Sequence, residues 1–189
     1  MRHWWIGLTA VLLVAAAPAI TRWQVEPASS AIGFSVSGGG QTAEGGFARY
    51  VARIRFDPDR LSQSSAIVAI DLGSVGTGQK AVDETLRSAE WFDVASHPQA
   101  LFTASRFERL GNNRYAAHGQ LKMRGRAVPV TLPFTLAISG GDADVAGRLV
   151  IDRTRWGIGT ADNMANDQVG KEVTITVKVK ALALDGTQS

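Results

Sequence analysis

The sequence predicts an all-β chain: about eight antiparallel strands closed into an up-and-down barrel, with one short helix near residues 78–88. Three observations carry that expectation. Apolar and polar residues alternate in segment after segment, the spacing at which successive side chains leave a strand on opposite faces. Clusters of turn-forming residues separate the segments. An open sheet of about eight strands with one dry face would also leave that face and two edges in water, and closure removes both problems. A two-sheet sandwich satisfies the same alternation, and periodicity alone does not separate the two.

Taken in chain order, residues 1–19 (MRHWWIGLTAVLLVAAAPA) read as an export leader. Arg2 precedes an apolar stretch from Trp4 to Ala17, and Ala17-Pro18-Ala19 supplies the small-x-small pattern for cleavage after Ala19. The rival reading is an uncleaved N-terminal anchor. A spanning helix needs about 20 apolar residues, so the cleaved leader is the expectation. Residues 20–189 are then a single domain working outside the cytoplasm, in the periplasm.

The strands follow. In Phe47–Phe56, Ala48, Tyr50, Ala52, Ile54 and Phe56 share one face and Arg49, Arg53 and Arg55 the other. Val128, Val130, Leu132, Phe134, Leu136 and Ile138 alternate with Pro129, Thr131, Pro133 and Thr135. In Lys171–Lys180, Val173, Ile175, Val177 and Val179 oppose Thr174, Thr176, Lys178 and Lys180. Weaker alternation marks Ala31–Ser37, Ser65–Leu72, Gln99–Glu108, Arg114–Met123 and Val145–Asp152. Between them lie Gly38-Gly39-Gly40, Asp57-Pro58-Asp59, Gly111-Asn112-Asn113 and Gly140-Gly141-Asp142. Gly78–Ser88 lacks alternation and is rich in helix formers, with Ala81, Thr85 and Leu86 near one face. Pro129 and Pro133 cannot donate to a ladder, so their strand is expected to be bulged or loosely paired on one side.

Composition narrows the chemistry. The formal charge is +3, the sequence pI about 9.6, and cysteine is absent. Without cysteine there is no disulfide, thiolate metal site or cysteine nucleophile. Basic residues are scattered among acids with no run that would track phosphates, which argues against nucleic acid as a partner. Outside the leader the histidines are His97 and His118. Neither sits in an HxH or HExxH pattern, so no metal site is expected. No Gly-x-Ser-x-Gly elbow is present. Val75-Gly76-Thr77-Gly78-Gln79-Lys80 has the wrong spacing for a phosphate loop.

The order of local motifs resembles the YceI-like family of polyisoprenoid-binding, lipocalin-like barrels, over Trp23 to Leu184. The resemblance is carried by Trp23-Gln24-Val25-Glu26-Pro27, Ile32-Gly33-Phe34-Ser35-Val36, Gly46-Phe47 and Phe56-Asp57-Pro58. Its most specific piece is Leu86-Arg87-Ser88-Ala89-Glu90-Trp91-Phe92-Asp93-Val94, ahead of His97-Pro98 and Phe102. Tyr115, Gly119-Gln120-Leu121, Arg124-Gly125, Asp152-Arg153, Trp156-Gly157-Ile158-Gly159 and Val169-Gly170 continue the order. Relatives often carry histidine in the first turn and after the second strand, where this chain has Ser29-Ser30 and Ser37-Gly38-Gly39.

The resemblance implies an interior channel for an isoprenoid chain of the quinone or polyprenyl phosphate type, taken as cargo with no cofactor. On that basis Phe34, Phe47, Leu86, Trp91, Phe92, Phe102, Leu121, Met123, Phe134 and Trp156 are the expected channel wall, although each serves equally well as ordinary core. Arg87 and Arg153 are candidates for a headgroup contact. The structural alternative, pairing with Asp93, Asp152 or Glu90, is favoured about two to one. The expected function is non-enzymatic binding, storage or transport of the lipid. Its main rival is a packed barrel acting as an interaction module for a membrane redox or envelope protein. A transient membrane-protein partner and a homodimer are left open, and a cryptic hydrolase or isomerase ranks last.

Overall fold

A computed structural model describes residues 20–160 and 169–184; the leader expected over residues 1–19 lies outside the described residues. Eleven strands build eight staves of a closed antiparallel barrel, because three staves are broken midway. β1 (Arg22–Val25) and β2 (Ala31–Gly38) run end to end along β11 (Glu172–Leu184), separated by a 3-10 turn at Pro27–Ser29. β3 (Gln41–Phe47) pairs with β2, and its continuation β4 (Tyr50–Arg55) pairs with β1. β5 (Ser65–Asp71) lies beside β4, and the two-residue β6 (Val75–Gly76) beside β3. β7 (Gln99–Gly111), β8 (Arg114–Met123), β9 (Arg126–Ser139) and β10 (Asp142–Asp152) follow as a meander, and β11 closes the ring. First and last staves pair within one sheet, so the sandwich alternative falls.

The long strand expected over Phe47–Phe56 is two strands. At the break the Ala48 amide donates to the Ser74 carbonyl (3.2 Å) and the Arg49 amide to Ser74 Oγ (3.0 Å). Two residues without ladder partners reset the period, so Phe47 and Tyr50, three apart, both turn toward the interior. The helix expected near residues 78–88 is α1 (Lys80–Arg87). Its first turn is held by Asp83, whose Oδ1 accepts from the Thr77 amide (2.8 Å) and hydroxyl (2.7 Å).

Tight hairpins need positive φ at both central residues to match strand twist. Asn112-Asn113 (51° and 58°) and Arg124-Gly125 (45° and 74°) meet that need. The left-handed Arg124 is steadied by its own guanidinium, which donates to the carbonyls of Ala89 (2.7 Å) and Trp91 and so straps the segment after α1 to this turn.

One seam in the wall is open. β9 pairs with β8 from Arg126 to Thr135, but with β10 only from Phe134 to Ser139. The Leu136 amide points toward the β8 side, donating to Asn113 O at 2.9 Å. Strand amides alternate in direction, so the nitrogens of Pro129 and Pro133 face β10 and have no hydrogen to give. The expected one-sided pairing follows directly.

Two apolar clusters plug the barrel. At one end Leu72, Met123, Val128, Ile151, Trp156 and Ile158 are buried, with the segment after α1 packed over them. At the other, Trp23, Val25, Phe56, Tyr115 and Leu136 gather. There Phe56 stands edge-on to Phe107, Tyr115 and Phe134, with ring centroids 5.3, 5.4 and 5.9 Å away.

Candidate functional site: the barrel interior

Between the two clusters lies a cavity of about 170 Å³, counted as the space open to the centre of a water molecule. One water needs roughly 10–15 Å³ by that measure, so the void admits on the order of ten heavy atoms, the size of about two isoprene units. Its wall draws on the inward positions of nearly every stave: Tyr50, Ala52 and Ile54 from β4; Ala66, Val68 and Ile70 from β5; Leu132, Phe134 and Leu136 from β9; Ile175, Val177, Val179 and Ala181 from β11. Among the described residues no charged side chain lines it. Of the two lining residues with a polar side-chain atom, Trp23 donates from Nε1 to the Phe56 carbonyl (2.9 Å). The other, Tyr50, has a buried hydroxyl without a hydrogen-bond partner among the described residues.

The expected wall residues separate into two groups. Phe102, Leu121 and Phe134 line the cavity. Phe34, Phe47, Leu86, Trp91, Phe92, Met123 and Trp156 do not, which corrects the sequence expectation for their position. Five of these seven (Phe47, Trp91, Phe92, Met123 and Trp156) belong to the cluster at the α1 end. Phe34, Phe47 and Phe92 form a chain of rings 5.6 and 5.9 Å apart. Trp156 is 1% exposed and donates from Nε1 to the Leu121 carbonyl (3.0 Å), fixing the turn after β10 against β8. Leu86 sits half-buried on α1, its carbonyl accepting from the Phe92 amide (2.9 Å).

Both arginines are committed to the backbone. Arg87 donates from Nε to Gly73 O (3.1 Å) and from Nη2 to Val75 O (2.8 Å), tying α1 to the segment before it. Arg153 is 3% exposed and donates to the carbonyls of Ile158 (2.5 Å), Gly159 (2.8 Å), Val169 (2.8 Å) and Gly170 (2.9 Å). It thus clasps the chain on both sides of residues 161–168, with its guanidinium 5.3 Å from the Trp91 ring. Burial presses its pKa downward, opposed by the charge of Asp152. The expected partners were carboxylates; the observed ones are carbonyls. Asp152 instead accepts from the Thr154 hydroxyl (2.6 Å) and amide (2.9 Å), which hold its carboxyl below the usual range.

His97 lies 3.9 Å from Asp93, and His118 bridges Glu108 and Thr131 at 3.1 Å each, all away from the cavity. Among the described residues no three His, Asp or Glu side chains converge as metal ligands would.

A family model described as "YceI-like domain" matches residues 23–181. A UPF0312 protein of Pectobacterium atrosepticum is 35% identical over 98 residues, 52% of this chain and half the length of that relative. BcnA of Burkholderia cenocepacia has a solved structure with 31% identity and a TM-score of 0.80, covering 83% of this chain and 99% of that one. A polyisoprenoid-binding domain from Saccharophagus degradans, implicated in plant cell wall breakdown, superposes with a TM-score of 0.64 at 17% identity, covering 88% of this chain and all of that one.

Proposed function

This chain belongs to the YceI-like family, and from that premise we propose that it binds the apolar chain of an isoprenoid lipid, of the quinone or polyprenyl phosphate type, inside its barrel. The carrying observation is the cavity: walled by inward faces of the barrel and, among the described residues, bordered by no charged side chain. Apolar surface moved from water into such a space gains about 25 cal/mol per Å², so a branched hydrocarbon chain is a fitting occupant. The Saccharophagus domain, described as polyisoprenoid-binding, supports the same ligand class. A chain longer than two isoprene units needs wall side chains to turn aside, which aliphatic and aromatic rotamers allow.

The role is non-enzymatic. Among the described residues no acid–base pair faces the cavity, and its lining offers hydrocarbon contacts alone. The leader expected at residues 1–19 supports a periplasmic setting for this role, in which such a barrel stores a water-insoluble molecule or carries it between membrane partners. The test is native mass spectrometry of protein purified from its own host, followed by extraction and identification of the lipid. A stoichiometric prenylated species is expected. A clean protein mass, unmoved by added quinones and prenyl phosphates, overturns the reading in favour of an interaction module.

A further inference from the structure

We propose that the outer face of β1, β4, β5 and the end of β11 docks the barrel on an anionic phospholipid bilayer. This concerns the outside of the barrel and does not depend on what fills the interior. Register places the face. Leu184, Arg22, Arg55 and Ser65 stand side by side across β11, β1, β4 and β5. Two residues along the strands, Leu182 lies opposite Gln24 and Arg53 opposite Ile67, and Val51 follows opposite Ala69. The intervening residues Trp23, Ala52, Ile54, Val68 and Ala181 line the cavity, so alternation turns this set to solvent. Of the seven large apolar side chains exposed among the described residues, four are here, with Val51 the most open at 66%.

The positive charge on this face is uncompensated. Arg22 and Arg55 are direct cross-strand neighbours, a placement in which like charges repel, and Arg53 lies two residues on. None of the three has an ion pair or a side-chain hydrogen bond among the described residues. Nearby Arg49 and Lys180 are answered, by Asp71 at 2.8 Å and Asp144 at 3.6 Å. An external anion would relieve the repulsion, and the aliphatics around the arginines select its kind. In an anionic bilayer, lipid phosphates meet the guanidiniums while Val51, Ile67, Leu182 and Leu184 enter the headgroup region. A second copy fits poorly, since it would set three arginines against three, with Asp142 beside Leu182 at the margin. The face also carries no Trp, Tyr or Phe, the anchors on which protein partners chiefly rely.

The experiment measures partition of the protein, purified from its own host, onto two kinds of sedimented vesicle. One is phosphatidylglycerol and phosphatidylcholine in equal parts, the other pure phosphatidylcholine. Binding is expected on the anionic vesicles alone, and salt should release it. Each arginine near such a surface contributes roughly five-fold in affinity, so Arg53→Gln/Arg55→Gln should bind on the order of 25-fold more weakly. Arg114→Gln/Arg148→Gln removes the same charge from β8 and β10 and should alter binding by less than roughly three-fold. Val51→Ser/Ile67→Ser should bind at least roughly three-fold more weakly. Arg55→Gln, relieved of its neighbour, should melt at the wild-type temperature or higher. Equal binding to both vesicles, binding to neither, or equal losses in the two arginine doubles overturns the docking face. So does full binding by Val51→Ser/Ile67→Ser, which would leave a site for free anions. A lower melting temperature for Arg55→Gln also overturns it, by showing that this arginine has a partner in the protein. A dimer in analytical ultracentrifugation that Arg53→Gln/Arg55→Gln alone disrupts would give the face to a second copy.

Discussion

Replacing Ala52 with leucine decides between a barrel built to hold a ligand and one built to be full. Ala52 sits mid-strand on β4, on the cavity wall between Tyr50 and Ile54 and opposite Val68 of β5. Leucine adds three carbons, each worth about 0.8 kcal/mol when buried. Ordering the longer side chain returns about 0.5–1 kcal/mol. If the new atoms enter the void, Ala52→Leu gains about 1.5 kcal/mol, and a chain of this size should melt about 3–6 °C higher. If the interior closes up in solution, the same atoms must force neighbours off their rotamers. That loss is about 1–3 kcal/mol, and the melting temperature falls. The sign separates the two cases without needing an accurate magnitude. Thermal unfolding followed by circular dichroism, paired with a lipid-displacement assay, measures both consequences: a stabilised Ala52→Leu that binds less. A destabilised variant with unchanged lipid affinity would refute the reasoning, since it would place the ligand somewhere other than this cavity.

Four further outcomes follow from the packing and hydrogen bonding. Trp156→Ala should lose about 3–5 kcal/mol in urea unfolding, because a side chain 1% exposed leaves both a void and an unpaired Leu121 carbonyl. Arg153→Lys should not rescue Arg153→Ala: one ammonium cannot reach four carbonyls spread over Ile158, Gly159, Val169 and Gly170. Both variants should therefore show faster hydrogen exchange at Gly159 and Gly170. Gly119→Ala should fail to accumulate as folded protein, or unfold at much lower denaturant, since its Cβ would lie 2.1 Å from the Thr103 carbonyl oxygen at the β7 bulge. Asp71 is held below its ordinary pKa chiefly by the Arg49 side chain, and Asp152 by the Thr154 hydroxyl. A depressed folded-state pKa means stability that is present above the unfolded value, about 3.9, and lost as pH falls through the folded one. Melting temperatures should therefore drop below about pH 4, less steeply in Asp71→Asn; an identical slope would remove Asp71 from the account.

The barrel was legible because period two is a local property: each stave carries its own inside and outside, and closure is the way to bury so many dry faces. The β9–β10 seam was legible for the same reason, since two prolines four apart on one face remove two donors on one side. The reset at Ala48-Arg49 was not. It depends on Ser74, 25 residues away, accepting both amides, and nothing in Phe47–Phe56 announces that partner. The arginine partners were misread on similar grounds. Sequence shows carboxylates as charges but is silent about which carbonyls a buried turn leaves unpaired. The wall itself was half visible: Tyr50, Ala52, Ile54 and Phe56 already shared a face, and all four line the cavity. Aromatics in the most distinctive motifs drew attention elsewhere, to the end where α1 docks, and distinctive motifs there record packing.

Side-chain size at inward positions explains why the void sits where it does. An eight-stranded barrel can be filled by its own side chains or can hold one small ligand, so strand number leaves the matter open. In this chain Phe34, Phe47, Phe92 and Trp156 stand off the wall on the α1 side, while Phe56, Phe102, Phe107 and Phe134 border the void. Alanine is placed on the wall at 52, 66, 117, 143 and 181, on five different strands. An alanine on one stave can be offset by a larger neighbour, but five spread around the ring remove volume from several directions at once. Binding capacity is thus written in the smallest residues of the interior, not in its largest. Enlarging two of those alanines together should abolish lipid uptake more completely than truncating any single aromatic of the α1 end.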